Sequence, residues 1–457
     1  MTAAVPEARP FSRRENGTDE PTWLLDTRWN EVPRLDLDAV IRRCPKVLLV
    51  APHPHDETLA LGATVAHLAA ADVDVTVVVA THGGDGNRPT VRRSEGENAI
   101  AALDASISIV WWDLPDGRLS THEAELEERL TALVDAQTLI LAPVECDGHA
   151  DHEAVARAAE SAAREVGATL LQYPYWLWQW ASPSDLDWTR LRNLAPPLGA
   201  LQAKSQAVEH YRSQLRSGDD APIVGPAVLA RSRRVIETVL VPASADLAAR
   251  VDADTIGERS ASEISAPFDT MYDDDEDDPW RLDDSFYEMH RLDLVTACLG
   301  HKRYRRALDI GCATGQLAER LKSRADAVTG LDTSSAALDI ARVRTPEIRW
   351  MCGAVPADLP DEKFDLIVLS EVAYFLDGPD LLSTLRAVRG ALLPEGEIVL
   401  ANWRHPTENI PLDGPTAHRQ AAAMMGLPRR ACYEDADLLI EVWGDPVSLH
   451  VESRRRS

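Results

Sequence analysis

Paired cysteines, long apolar runs, internal repeats and an excess of basic residues are all missing from this chain, and each absence closes off a class of function. The six cysteines, Cys44, Cys146, Cys298, Cys312, Cys352 and Cys432, lack both the close pairing of a structural zinc site and the density of a disulfide framework. They read as reduced, small apolar side chains of a cytosolic protein. No uncharged apolar run reaches the roughly 20 residues of a membrane span. Arg13-Arg14 is followed by Glu15, Asn16, Gly17 and Asp19 rather than an apolar stretch, so no secretory or twin-arginine signal is expected. Lysine and arginine number 47 against 74 aspartates and glutamates, a formal charge of -27 with a pI near 4.8. Nucleic acid and anionic membranes need basic faces, so neither is expected as a partner. At 457 residues the chain exceeds one ordinary core, and two or three domains of a soluble, cytoplasmic protein are expected.

Against these absences stands His53-Pro54-His55-Asp56-Glu57, two imidazoles and two carboxylates at the end of the apolar run Lys46 to Ala51. Such a run suits a strand buried on both faces of a parallel sheet. The residues after it, Thr58 to Ala71, repeat apolar positions near helical spacing, which puts the cluster on a strand-to-helix turn at the carboxyl edge of the sheet. A second apolar run, Thr138 to Val144, leads to His149-Ala150-Asp151-His152. Two such clusters on one sheet edge can complete a three-ligand metal site with one position left for water. Metal-activated water, a polarised carbonyl and a nearby proton acceptor are the requirements of amide hydrolysis.

The segment from about Val47 to Val241 resembles the GlcNAc-phosphatidylinositol de-N-acetylase family, also called LmbE-like, whose opening motif Ala-His-Pro-Asp-Asp-Glu appears here as Pro52 to Glu57. The resemblance implies a zinc site of His53, Asp56 and His152, with His149 steadying an oxyanion and Asp151 orienting it. Arg92, Glu95, Ala99 and Leu103 match a family helix, and Leu114-Pro115-Asp116-Gly117 a sugar-contacting loop, which makes Arg92 and Asp116 the expected partners of sugar hydroxyls. Lys204, Ala207, His210, Ser213 and Gln214 match a late family helix. His55 stands where the family has an aspartate general base. An imidazole can do the same work near neutrality, become a further ligand, or mark a domain whose base is lost.

Breaks in composition divide the rest. Residues 1 to 20 read as a disordered lead-in, 21 to 244 as the deacetylase-like domain, 245 to 267 as a connecting segment with helical character, and 268 to 457 as a second domain. The acidic run Asp273 to Asp278 reads as a solvated loop. In the second domain, Ala307 to Gly315 is a strand ending in a glycine-rich turn, and a second strand, Ala327 to Leu331, ends in Asp332. Phe364 to Val372 and Leu393 to Leu400 continue the pattern as buried strands. Glycines let the backbone approach a cofactor, and a carboxylate after the second strand suits a ribose.

These features resemble class I S-adenosylmethionine-dependent methyltransferases. Asp278-Pro279-Trp280, Ser285, Tyr287 and Glu288, with Glu371-Val372 and Tyr374-Phe375-Leu376, resemble the nodulation protein S-like members, which methylate a glucosamine amine. The resemblance implies that Asp309, Gly311 and Gly315 border the amino-acid end of the cofactor and that Asp332 binds its ribose. Trp280 reads either as closing over the cofactor or as a buried anchor, and Glu371 or His405 as the group that assists loss of the amine proton. Ala354 stands where the common acidic residue after the third strand would contact adenine. The expected fold is α/β, two Rossmann-like parallel-sheet domains in tandem. The expected function is hydrolysis of an N-acetylated amino sugar by zinc-activated water, then N-methylation of the freed amine. The alternative is a methyltransferase whose first half is inactive or only binds substrate. The aromatic run Tyr173, Tyr175, Trp176, Trp178, Trp180 and Trp188 reads as an alternating strand in which at least half of the rings fill the core, while those nearer Trp180 and Pro183 are placed to stack on sugar rings at a pocket edge.

Overall fold

The computed structural model describes residues 17–83, 89–215, 222–251, 255–256, 268, 270–272 and 278–446, in two compact units spanning residues 1–257 and 258–457. Residues 1–16 of the lead-in, residues 257–267 of the connecting segment and residues 273–277 of the acidic run lie outside the described residues. The earlier part of that segment is in the first unit, as the helix Ala245–Ala248 and a strand at the sheet edge, Thr255–Ile256.

The first sheet comprises β1 (Arg34–Leu35), β2 (Lys46–Ala51), β3 (Asp74–Thr81), β4 (Ser108–Leu114), β5 (Thr138–Pro143), β6 (Thr169–Tyr173), β7 (Leu191–Leu194), β8 (Glu237–Leu240) and β9 (Thr255–Ile256), in the order 4-3-2-5-6-8-7-1-9. Strands β4 to β6 of that order are parallel; β8 runs antiparallel to both β6 and β7. The sheet is therefore mixed rather than wholly parallel. After the exposed Lys46 the run is apolar because both faces are covered: Val47, Leu49 and Ala51 enter one core cluster, Leu48 and Val50 the other. Each of the valines and leucines contributes about 1.5–3 kcal/mol by burial. Chain order reverses between β2 and β5, and ligand sites of open α/β sheets form at that crevice.

The helix following β2, Asp56–Ala70, breaks at Leu61 (φ -129°, ψ 20°). Lys204 and Glu237 enter the break. Glu237 accepts the amides of Ala63 and Thr64 at 3.0 and 2.7 Å, while Lys204 Nζ reaches Ala60 O at 3.5 Å and pairs with Glu237 at 2.6 Å. A buried ion pair thus replaces the lost rungs of the helical ladder. The expected late helix is also broken, into Leu198–Val208 and Arg212–Leu215.

The aromatic run corrects the alternating-strand expectation. Only Tyr173 lies in β6; Leu177–Trp180 is a helix. The buried carboxylate of Asp147 turns the chain there by accepting the amides of Tyr175, Trp176 and Leu177 at 2.9, 3.0 and 2.9 Å.

The second sheet comprises β10 (Tyr304–Ile310), β11 (Ala325–Asp332), β12 (Arg349–Cys352), β13 (Phe364–Ser370), β14 (Leu392–Trp403), β15 (Arg429–Glu434) and β16 (Leu438–Trp443), in the order 12-11-10-13-14-16-15. The first five are parallel and β16 is antiparallel to both of its neighbours. Here the reversal falls between β10 and β13. Among the described residues no helix is long and apolar enough to cross a membrane.

Candidate metal centre and cofactor cleft

In the first unit the carboxyl ends of β2 and β5 bring the two histidine clusters together. Asp56 Oδ2 lies 3.2 Å from both His53 Nδ1 and His152 Nε2, and donor atoms of all three residues fall within 4.8 Å of one another. The three side chains are buried. Tetrahedral zinc with bonds of about 2.0–2.1 Å separates its ligands by roughly 3.3 Å, so the spacing fits such an ion. His152 Nε2 is buried without a hydrogen bond of good geometry, as expected of a donor directed at a metal. A second triplet, His53, His149 and Asp151, shares the first histidine.

Charge in the cluster follows from crowding. Burial works against a charged His53, but Asp116, Asp151 and Asp56 outweigh it and hold its pKa well above the ordinary value. His152 behaves alike: burial opposes the charge, and Asp56 and Asp147 bring it up to about 9. Asp56 is buried too, yet His152 and His55 keep its carboxyl well below the usual range. His149 goes the other way, pushed down to about 3 by burial and by the neighbouring His152 and His53. It is therefore neutral. Its Nδ1 lies 3.3 Å from the Asp151 amide as acceptor, which leaves the proton on Nε2.

His55 occupies a strained backbone position, φ 123°, at the start of the helix. Its Nδ1 is 2.5 Å from Gln214 Oε1, its Nε2 is 3.2 Å from Asp56 Oδ1, and its amide donates to Glu57 Oε2 at 3.1 Å. Gln214 is set in place by its neighbour: Ser213 donates its amide and its hydroxyl to Glu95, each at 2.7 Å. Tyr211 hydrogen-bonds to the buried Glu57. The break before Arg212 thus lets Tyr211 and Gln214 face the centre together.

Asp151 and Asp116 both converge on His53. The Asp151 carboxylate accepts the amides of Gly117 and Leu119 at 2.7 and 3.0 Å and faces His53 at 3.3 Å, while its backbone amide donates to His149 Nδ1. The Asp116 carboxylate lies 3.0 Å from His53 Nε2 and accepts from Thr81 Oγ1 at 3.3 Å. Arg92 and His53 both lie against Gly83. Asp147 escaped the sequence reading. It stands 2.8 Å behind His152 Nδ1 while holding the three amides of the next loop, and its one signal was an acid two residues before His149.

In the second unit the turn after β10 carries Gly311 (φ 71°) and Gly315 (φ 92°). A Cβ on Gly311 would sit 2.1 Å from Val372 Cγ2, and one on Gly315 2.8 Å from Trp350 Cη2. Close packing therefore demands glycine as strongly as the left-handed backbone does. Asp309 is buried with neither carboxylate oxygen meeting a donor at good geometry, and burial pushes it up to about 7. Such a carboxylate fits a cationic ligand group in the cleft. Asp332 accepts the amides of Ala313 and Ser334 at 2.8 and 2.9 Å, which ties the glycine turn to the end of β11. Trp280, partly exposed, packs edge-on to Phe375 at 6.4 Å. Glu371 (φ 58°) accepts the Trp403 amide at 3.1 Å on either oxygen, Tyr374 Oη at 2.5 Å and Tyr287 Oη at 3.3 Å. Burial raises its pKa, with Arg291 opposing. His405 instead faces Asp437 at 3.0 Å, half exposed. Arg291, which the sequence reading passed over, is buried between Glu288 and Ser370.

The two folds and their sites define a tandem α/β protein with a histidine-carboxylate centre in one unit and a glycine turn beside the buried Asp309 in the other. The GlcNAc-PI de-N-acetylase family model matches residues 48–163 and the nodulation protein S (NodS) model residues 270–407. A nodulation protein S from Rhizobium tropici is 33% identical over 136 residues, 28% of this chain and 56% of its own length. A ubiquinone biosynthesis O-methyltransferase from Alkalilimnicola ehrlichii is 35% identical over 117 residues, 24% of this chain and 47% of its own. The chain thus spans about half the length of these curated relatives. The solved N-methyltransferase NodS from Bradyrhizobium japonicum WM9, in complex with S-adenosyl-l-homocysteine, is 25% identical, with 40% of this chain and 98% of that one covered and a TM-score of 0.36. The chain joins, in this order, a half similar to GlcNAc-PI de-N-acetylases and a half similar to nodulation protein S methyltransferases.

Proposed function

We propose that the protein removes the acetyl group from the nitrogen of an amino sugar or glycoside and then methylates the exposed amine. The observation that carries this reading is the convergence of His53, Asp56 and His152, their polar atoms buried and incompletely satisfied, at the crevice of a half similar to de-N-acetylases. These three residues would hold zinc, to which their nitrogen and oxygen donors are suited. When bound, zinc lowers the pKa of water and polarises the amide carbonyl. His55 accepts the water proton at Nε2, with Nδ1 anchored on Gln214, and returns it to the leaving amine. Neutral His149 donates its Nε2 proton to the oxygen on which charge develops. Asp116 and Arg92 hold sugar hydroxyls beside His53.

In the second unit Asp309, Gly311, Gly315, Asp332 and Trp280 would hold S-adenosylmethionine, which supplies a methyl group on a positive sulfur. Asp309, buried and unmet, suits its ammonium. The acceptor amine must be neutral to attack, and Glu371 with the phenols of Tyr287 and Tyr374 forms a polar cluster able to take its proton. The free cysteines and the acidic surface support a cytoplasmic setting. A second reading, methylation of a hydroxyl, draws on the similarity to ubiquinone biosynthesis O-methyltransferase. Mass spectrometry of N-acetyl sugars incubated with protein, zinc and S-adenosylmethionine separates the two: the methyl is found on nitrogen in the first and on oxygen in the second.

A further inference from the structure

The first unit contains a second polar pocket. Tyr175 stands 5.8 Å, ring centre to ring centre, from both His55 and His152, and it also lines a cavity of about 30 Å³. Lys204, Arg231, Arg234 and Glu237 line the same cavity. All four are at least nine-tenths buried. Two of the three cations have counter-ions, Lys204 in Glu237 at 2.6 Å and Arg234 in Glu20 at 2.6 Å.

Arg231 has none. It donates to the neutral oxygens of Gln179 and Thr18, and among the described residues its Nε meets no acceptor. Burial and the adjacent Arg234 pull its guanidinium down to about 10. A buried charge without a partner is costly, and proteins normally neutralise it. The remaining charge is +1, and the space suits about two waters or one small ion.

We propose that this cavity binds a small monovalent anion, chloride or a carboxylate of acetate size, on the Nε edge of Arg231. The anion sits within the positive field of Lys204 and Arg234 and fixes the helix Pro226–Ser232 to the chain at Thr18, which Arg231 already bonds. This site is independent of the reaction assigned to the metal centre.

Thermal unfolding of the full-length protein tests it, with sodium gluconate, too large for the cavity, replaced by chloride in one arm and acetate in the other at constant ionic strength. Binding predicts a rise in Tm of about 3–6 °C once the anion exceeds its dissociation constant tenfold, lost in Arg231→Gln and retained in part by Arg231→Lys. A rise with chloride alone assigns the halide, and a rise with acetate assigns the carboxylate. No rise in either arm, or an equal rise in Arg231→Gln, overturns the proposal. Should Arg231→Gln fail to fold, crystals of the unaltered protein soaked in bromide and, separately, in acetate decide: an anomalous peak or acetate density beside Arg231 Nε supports the site, and the absence of both there overturns it.

Discussion

Replacing Asp147 with asparagine tests how far the metal centre depends on the chain behind it. The Asp147 carboxylate is fully buried, accepts three backbone amides and faces His152 Nδ1 at 2.8 Å. Asparagine keeps the volume but turns one acceptor oxygen into a donor, which must then confront either an amide N–H or the imidazole. Hydrogen bonds to a charged group are worth about 1.5–3 kcal/mol each, and breaking a buried charged network costs about 3–5 kcal/mol. For a unit of this size that lowers Tm by about 6–20 °C. Partners behind a metal-bound imidazole also hold its tautomer, and their loss weakens metal affinity by about 10- to 100-fold. Calorimetry of the full chain reads the first effect, with the transition of the second unit as an internal reference, and competition with a zinc chelator reads the second. A Tm within about 2 °C of the parent together with unchanged zinc affinity would refute the reasoning.

The other predictions concern each site separately. Asp56→Ala or His152→Ala removes a donor from the His53, Asp56, His152 triplet; deacetylation should be abolished while methylation of a synthetic free amine persists, and loss of both activities would contradict independent sites. Because burial pushes Asp309 up to about 7, it is partly protonated in the unliganded fold at neutral pH, and a cofactor ammonium favours its ionised form. Affinity for S-adenosylmethionine should therefore fall with decreasing pH, by up to about tenfold per unit below 7; isothermal titration calorimetry checks this, and Asp309→Asn should flatten the profile. Gly311→Ala forces a Cβ to within 2.1 Å of Val372 Cγ2 at φ 71°. The left-handed backbone alone costs about 1–2 kcal/mol with a side chain, so equilibrium dialysis should find cofactor binding weakened by at least about fivefold.

Much of the fold was legible because its central strands are buried on both faces. Val47–Ala51 and Leu366–Leu369 are continuous apolar runs for that reason, and a turn rich in histidine or glycine follows an apolar strand in each unit. At the far edge of the second sheet Arg429–Glu434 gave no such signal because its residues are exposed or half-buried, and in the buried strand Leu438–Trp443 the apolar run is interrupted by Glu441. Local periodicity also failed where distant residues decide the backbone. Asp147 converts the aromatic run into a loop and short helix, and the partners of Tyr211 and Gln214 lie at Glu57 and His55, more than 150 residues earlier in the chain. The metal-binding residue types could be read from the sequence, but their surroundings could not. Asp116 and Asp151 meet at His53 only because separate strands end at the same edge.

The coupling of the two halves is most directly tested by one labelled substrate. An amino sugar carrying a deuterated N-acetyl group is incubated with the full-length protein, zinc and carbon-13 methyl-labelled S-adenosylmethionine, and its masses are followed with time. The account predicts loss of the deuterated acetyl first, then gain of the labelled methyl on the nitrogen of the same molecule. Labelled methyl on a sugar that still carries its acetyl group would contradict it.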